Sequence, residues 1–267
     1  GGVTINNGNT HLSVEGDIST INSAISIDTG TGGYSQTDRD LISGSGAISI
    51  TGDNIAIAAN SVHNAFRTSG ALTLKPASSN TAMSLAGTST FDLSAAEITD
   101  IKGGANNIVI GDTSSIAAMT IGGPVDFSGK YLTLHAGSFN DVGGVNPITA
   151  ATLNLDARTG SIGAPGNPID IDISAANLAL STQGNNSIYM ATLGGYTLGT
   201  SNFGSGTFSL SASGLVTQTG PITAGTLELT NTAGDTDLST ENNAITHLGT
   251  INAAGRSFSL RNIDSLD

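Results

Sequence analysis

Polar and apolar residues alternate along almost the whole chain. Short apolar–polar–apolar segments recur, and each has Gly, Asn, Asp or Ser within a few residues of it. Alternation with a period of two is typical of β-strands with one buried face, and the flanking residues are those that form turns. The pattern therefore predicts strands of about three to five residues separated by turns. The clearest segments are AISI at 47–50, IAI at 55–57, LTL at 72–74, IVI at 108–110, LTL at 132–134, LNL at 153–155, IDI at 169–171, LAL at 178–180, FSL at 208–210, LEL at 227–229 and FSL at 258–260.

One segment has a composition that would also allow a helix. This is SAAEITDIK at 94–102, which Gly103 and Gly104 follow directly. Because the surrounding chain is strand-like throughout, we predict a strand here as well.

The strand-like segments return at a loose period of about twenty residues, which is the range expected of solenoid repeats. Leu132, Leu153 and Leu178 are 21 and 25 residues apart, and the later segments that begin at 208, 227 and 258 are 19 and 31 apart. A parallel β-solenoid uses such a pattern, because its coils stack and their inward side chains form aliphatic ladders. The alternative is a tandem of immunoglobulin-like sandwiches. It is disfavoured, since those domains use longer strands and a buried aromatic residue, whereas this chain has no Trp and four Tyr.

Composition narrows the classes of function. The net charge is −13, from 21 acidic and 8 basic residues, and the basic residues are scattered singly. Nucleic-acid binding needs clustered Lys and Arg, so we predict no nucleic-acid partner. The apolar runs are far shorter than the ~20 residues that span a bilayer, so we predict no membrane insertion. The absence of Cys excludes disulfides and thiolate metal sites. Few charges and abundant Ser, Thr and Asn favour an extracellular or bacterial cell-surface location.

Three phrases resemble the shaft repeats of filamentous-haemagglutinin-like exoproteins. They are TGSIGAPGNPIDID at 159–172, QTGPITAGTLELT at 218–230 and NAITHLGTINAAGRSFSL at 243–260, and the resemblance is strongest over 130–262. These are large surface or secreted proteins of Gram-negative bacteria, commonly exported by two-partner secretion. The resemblance implies a right-handed parallel β-helix with adhesive or fibre-forming roles. The family's secretion module carries Asn-Pro-Asn motifs, which this chain lacks, so we expect a shaft segment without that module.

We therefore predict that residues 1–267 form one all-β, right-handed parallel β-helix of about 11 to 13 coils, roughly 55–65 Å long. The predicted function is a structural shaft of a secreted or surface adhesin or fibre, without catalysis and without a cofactor. Its partners would be neighbouring coils or copies stacked end to end. A host or cell-surface ligand would contact loops that interrupt the repeat, and the two candidates are 29–40 with Tyr34 and 194–206 with Tyr196 and Phe203.

The alternative function is a polysaccharide-acting β-helix enzyme, a lyase or a glycoside hydrolase. Asp170 and Asp172 are two apart on a predicted strand, so both carboxylates share its outward face if Ile169, Ile171 and Ile173 point inward. Such a pair could perform acid–base chemistry or bind calcium. Arg158 is the nearest basic residue, a dozen positions upstream, so a solvated strand face is the simpler interpretation of the pair.

The remaining motifs do not indicate a functional site. The segment GGANNIVIGD at 103–112 resembles a calcium-binding nonapeptide once, without the adjacent copies that such sites need, so we predict a solenoid corner. His11, His63, His135 and His247 follow no metal-ligand spacing. Thr-x-Thr pairs occur at irregular intervals, which disfavours an ice-binding array.

Overall fold

The chain folds as a parallel β-solenoid. The computed structural model describes residues 1–58, 64–172, 177–263 and 265–267. The protein is all-β, with 57% strand and 4% helix, and its parallel strands stack in about 11 turns. This confirms the predicted fold class at the lower end of the expected coil number. At about 4.8 Å per coil, the rod is roughly 50–55 Å long.

Most strands have two to six residues, close to the predicted length, but five strands are longer than predicted, with 10 to 17 residues each. In the first half of the described chain they are β1 (Val3–Asn6), β2 (Leu12–Val14), β3 (Ile18–Ser19), β4 (Ile25–Asp28), β5 (Gly33–Thr37), β6 (Leu41–Gly44), β7 (Ile48–Thr51), β8 (Asn54–Ala58), β9 (Phe66–Lys75), β10 (Met83–Leu85), β11 (Phe91–Leu93), β12 (Ala105–Ile110) and β13 (Ala118–Ile121). In the second half they are β14 (Val125–Ala136), β15 (Ser138–Asp141), β16 (Ile148–Ala157), β17 (Ile169–Asp172), β18 (Asn177–Thr182), β19 (Ile188–Thr192), β20 (Tyr196–Leu198), β21 (Ser201–Asn202), β22 (Thr207–Ala212), β23 (Val216–Gln218), β24 (Ile222–Asn231), β25 (Thr236–Asn252) and β26 (Phe258–Asn262). The helix α1 spans Ala95–Gly104.

Aliphatic ladders run along the rod and form its core. In each ladder, residues from successive coils are register partners on adjacent parallel strands, so their side chains stack directly upon one another. Full burial of one Leu or Ile side chain contributes about 1.5–3 kcal/mol, so each buried member of a column adds to the stability of the rod. One ladder is Ile5, Ile27, Ile50, Leu74, Ile110, Leu134, Leu155 and Leu180. A second is Met83, Met119, Phe139, Ile162, Ile188, Phe208 and Leu227, and the register partner that follows Leu227, Leu248, is exposed.

The strands belong to three sheets of unequal size. A nineteen-stranded sheet runs along the rod, a three-stranded sheet of β2, β5 and β8 completes the first coils, and a four-stranded sheet joins β10, β11, β13 and β15. The buried residues of all three form one hydrophobic core cluster.

The prediction of a strand at 94–102 is wrong, because this segment forms α1. Ser94 caps the helix: its side chain accepts a hydrogen bond from the Glu97 amide, and the Glu97 carboxylate accepts one from the Ser94 amide at 2.8 Å. This reciprocal capping box satisfies amides that have no partner within the helix. Ile98 and Ile101, three positions apart, are both buried. Gly104 ends the helix where a Cβ would lie 1.6 Å from the carbonyl oxygen of Phe66, so only glycine fits.

The two segments predicted to interrupt the repeat are ordinary parts of coils. The 29–40 segment contains β5, in which Tyr34 pairs with Leu12 and Ile55 of the neighbouring coils. The 194–206 segment contains β20 and β21, and Tyr196 pairs with Val216. The corner predicted at 103–112 is also wrong, since this stretch holds the end of α1 and strand β12.

Candidate functional site

The three aromatic residues predicted to contact a ligand are buried in the core. Tyr34 and Phe203 are 0% exposed and Tyr196 is 3% exposed. Phe203 packs against Phe208 with ring centroids 4.9 Å apart. The prediction of contact residues is therefore corrected: these side chains fill the solenoid interior, because each stands at an inward position of a regular coil.

The two buried tyrosines differ in how their hydroxyl groups are satisfied. Tyr34 Oη donates to Gln36 Oε1 at 2.5 Å, and Gln36 Nε2 in turn donates to the carbonyl oxygens of Arg39 and Ala65. Tyr196 Oη has no hydrogen-bond partner among the described residues. Burial raises the pKa of both hydroxyls well above the usual value, because the phenolate would lose its hydration.

Asp170 and Asp172 lie on β17 with different environments. Ile169 and Ile171 are fully buried, in agreement with the expected inward face, while Ile173 lies outside the described residues. Asp172 is exposed, whereas Asp170 is 7% exposed and accepts a hydrogen bond from the Asn146 amide at 3.0 Å. The two carboxylates therefore do not form an equivalent solvent-facing pair.

Asp141, at the end of β15, is a charged neighbour of Asp170. Burial and the nearby Asp141 charge raise the pKa of Asp170, although the hydrogen bond from Asn146 opposes them. Asp141 Oδ1 accepts from the Gly143 amide and from Asn146 Nδ2, while Asp141 Oδ2 is buried and has no partner among the described residues. Asn146 thus joins the two carboxylates, since its amide N–H binds Asp170 and its side chain binds Asp141.

A second cluster of polar side chains brings together residues that are remote in sequence. His135, Asp156 and Ser181 are register partners on three successive coils. Asp156 Oδ2 lies 3.0 Å from His135 Nδ1 and accepts a hydrogen bond from the Arg158 guanidinium at 3.0 Å, and Asp156 Oδ1 accepts from Ser181 Oγ at 3.0 Å. We call these four residues the Asp156 clamp.

The Asp156 clamp holds coils together rather than activating a nucleophile. Burial alone would raise the pKa of Asp156, but the hydrogen bonds from His135, Ser181 and Arg158, with the Arg158 charge, outweigh it and lower the pKa. Ser181 and His135 both bind the carboxylate, so this Ser does not pass its proton to this His as a catalytic triad requires. Arg158, the nearest basic residue to Asp170 in sequence, is bound to Asp156 instead.

A groove runs along the outer face of the later coils. We call it the lateral groove; its cavity volume is about 370 Å³. Its floor carries the outward side chains of β19, β22 and β24, and one wall is the turn at 164–167. The side chains that give it polarity are Tyr189, Ser209, Ser211, Glu228, Thr230 and Thr250. The sequence predictions missed this groove, because its residues come from five successive coils and form no local motif.

In the described ranges no group of three or more His, Asp or Glu residues is arranged to hold a metal ion. His11 Nε2 lies 2.9 Å from Ser35 Oγ, and His63 is outside the described residues. Among the residues with described structure, no helix is long and apolar enough to cross a membrane.

Comparisons of this chain with protein-family models, curated proteins and solved structures give no match. The resemblance to filamentous-haemagglutinin-like exoproteins thus stays a prediction from the sequence, while the β-helical repeat architecture that it implies is what the chain adopts.

Proposed function

We propose that this protein is the structural shaft of a secreted or cell-surface bacterial adhesin or fibre. The observation that carries the proposal is the pair of uninterrupted ladders described above, in which each coil rests on the one before. Such a solenoid is a rod whose length grows with the number of coils, because every coil contacts only its neighbours. A rod of this kind spaces a binding part away from a surface.

The end coils support end-to-end assembly. Val3 and Ile5 in the first coil, and Phe258 and Leu260 in the last, belong to the core ladders but are only partly buried. Among the described residues each of these side chains packs against the core from one side, and a further strand layer stacked on it would bury it more completely. A following coil of a longer chain, or a second copy, would cover these positions.

Charge favours association at the ends over lateral clumping. The net charge of −13 repels the long faces of two rods from one another at low salt. Several basic side chains are already bound to carboxylates on neighbouring coils, as in the pairs Lys75–Asp112 at 2.7 Å and Lys102–Asp126 at 2.6 Å. The long faces therefore offer few cations that could join two rods side by side.

The proposal includes no catalytic step. A polysaccharide-acting enzyme would need a carboxylate and a base or a second carboxylate presented together to the substrate. In the described residues, Asp156 engages its basic neighbours itself, and Asp170 is covered while Asp172 is exposed. Turnover of a polysaccharide that is abolished by Asp170→Asn with Asp172→Asn would overturn this view and establish the enzyme instead.

End-to-end assembly is tested by two matched substitutions on the last strand. Leu260 points toward the core and Ser259, beside it, points outward. Leu260→Asp should abolish concentration-dependent association in sedimentation velocity, whereas Ser259→Asp, with the same added charge, should associate as the parent does. Electron microscopy should show rods lengthened end to end, and circular dichroism should show that both variants keep their strand content.

The result can go against the proposal in two ways. A parent chain that stays monomeric at every concentration contradicts end-to-end assembly, and so do two variants that behave alike. If Leu260→Asp loses its fold, a fusion of a charged capping segment to the same end replaces it, and the expected loss of association is unchanged.

A further inference from the structure

The lateral groove is built from two columns of outward side chains that run parallel to the rod axis. Tyr189, Ser209 and Glu228 are register partners on successive coils, so they form one column. Ser211 and Thr230, which are register partners on β22 and β24, form the second column. Consecutive members of a column are about 4.8 Å apart. The groove therefore presents a regular row of polar groups along the axis.

The wall of the groove is a rigid turn. Ala164 and Asn167 exchange two backbone hydrogen bonds of 3.0 Å across Pro165 and Gly166, and Gly166 has φ of +77°. Pro followed by Gly with positive φ is the signature of a type II turn, in which Pro fixes one dihedral angle in advance. Asn167 Nδ2 ties the turn to the preceding coil by donating to the Asp141 carbonyl oxygen at 2.6 Å.

The turn lies close against the groove floor. Gly163, with φ of +69°, precedes it, and a Cβ there would lie 2.3 Å from the Tyr189 carbonyl oxygen. The glycine thus lets the wall approach the strand that carries the Tyr189 ring. Because wall and floor are fixed before any ligand arrives, binding would cost little ordering entropy.

The chemistry of the lining selects an uncharged, hydroxyl-rich ligand. The groove offers one partly buried aromatic ring, one carboxylate and four hydroxyl groups, and its lining includes neither Lys nor Arg. An aromatic ring covers the apolar face of a ligand, while Ser, Thr and Glu exchange hydrogen bonds with its polar edge. Glu228 and the net charge of −13 repel an acidic ligand. A saccharide combines an apolar ring face with a rim of hydroxyl groups and no charge.

We propose that the lateral groove binds a short neutral oligosaccharide lying along the rod axis, with one sugar ring on Tyr189 and its hydroxyl groups bonded to Glu228 and the Ser and Thr side chains. A volume of about 370 Å³ is that of a small-ligand site. This inference goes beyond the shaft function, because a rod with an empty groove would still be a rod. It also does not depend on end-to-end assembly.

Isothermal titration of the full chain with neutral tetrasaccharides of glucose and of N-acetylglucosamine tests the proposal, with tetragalacturonate as the acidic comparison. At least one neutral probe should bind, and tetragalacturonate should not. Tyr189→Ala should weaken binding about tenfold or more, since it removes the stacking platform. Glu228→Gln, which keeps the shape but removes the charge, should weaken the neutral probe by a smaller factor.

Tyr131→Ala is the matched control. Tyr131 is 59% exposed on a different part of the rod, so its removal deletes an exposed aromatic ring without touching the groove. Tyr131→Ala should leave the saccharide affinity unchanged. Thermal unfolding should show that Tyr189→Ala, Glu228→Gln and Tyr131→Ala are all folded. The proposal is overturned if no neutral probe binds, if only the acidic probe or a Lys-rich peptide binds, or if Tyr189→Ala and Tyr131→Ala have equal effects. Tyr189→Ala should sediment as the parent protein does. A loss of saccharide binding can then be distinguished from a loss of end-to-end assembly.

Discussion

Two buried tyrosines provide a sharp test of how the solenoid interior tolerates polar groups. Tyr34 and Tyr196 have almost no exposed surface, yet the Tyr34 hydroxyl is hydrogen-bonded and the Tyr196 hydroxyl has no partner among the described residues. The same substitution, Tyr→Phe, removes one oxygen atom at each position. We expect opposite effects on stability.

The magnitudes follow from what each oxygen does. At Tyr196 the substitution removes a buried polar group whose desolvation costs about 1–3 kcal/mol without a compensating bond, so Tyr196→Phe should raise the free energy of unfolding by about 1 kcal/mol or more. At Tyr34 the substitution leaves Gln36 Oε1, which is also buried, without its donor. Tyr34→Phe should therefore lower the free energy of unfolding by about 1–3 kcal/mol.

Equilibrium urea unfolding, followed by circular dichroism, measures both changes. Because a solenoid can open coil by coil, the comparison requires that each variant keep the parent's m-value, which reports the surface exposed on unfolding. If Tyr196→Phe destabilises the protein as much as Tyr34→Phe does, the unpartnered hydroxyl carries no cost and the reasoning is refuted.

Three further substitutions probe other features of the rod, each by urea unfolding. Burial and the nearby Asp141 raise the pKa of Asp170, so Asp170→Asn should stabilise the protein at pH 7. This gain in stability should vanish below about pH 4, because the carboxyl group of the parent protein is protonated there. The pKa of Asp156 is lowered instead, so Asp156→Asn should lower the free energy of unfolding by about 1–3 kcal/mol at pH 7. This loss of stability should shrink as the pH falls below about 4, and a loss that does not change with pH would contradict the lowered pKa. Ser94→Ala should cost about 1 kcal/mol by removing the α1 cap, and no change would show the cap to be unimportant.

The sequence predicted the coils well because one physical rule determines them. Inward positions must be apolar and outward ones need not be, so the period of two marks each strand and the spacing of Leu132, Leu153 and Leu178 gives the register. The helix was missed because it is short and its apolar residues are few. Its signal was nevertheless present, since Ser94 followed three residues later by Glu97 is a capping box.

The sites were harder to predict, because they depend on which residues meet across coils. The sequence predicts a loop around Tyr196 and Phe203, because the glycine-rich flanks hide the inward positions that both residues occupy. The Asp156 clamp could have been found by extending the leucine alignment by three positions, which gives His135, Asp156 and Ser181. The same alignment does not predict the partners of Asp170, because the segment that holds Asn146 and covers Asp170 is not part of the repeat.

The direction of the hydrogen bonds between coils has a mechanical consequence. In stacked parallel strands these bonds point along the rod axis, so a pull on the two ends loads the bonds of the terminal coil first and one coil at a time. Releasing one coil of about 22 residues shortens the folded rod by about 4.8 Å but frees roughly 70 Å of extended chain. A rod built this way would lengthen under tension one coil at a time, by about 65 Å for each coil released, before the whole fold is lost.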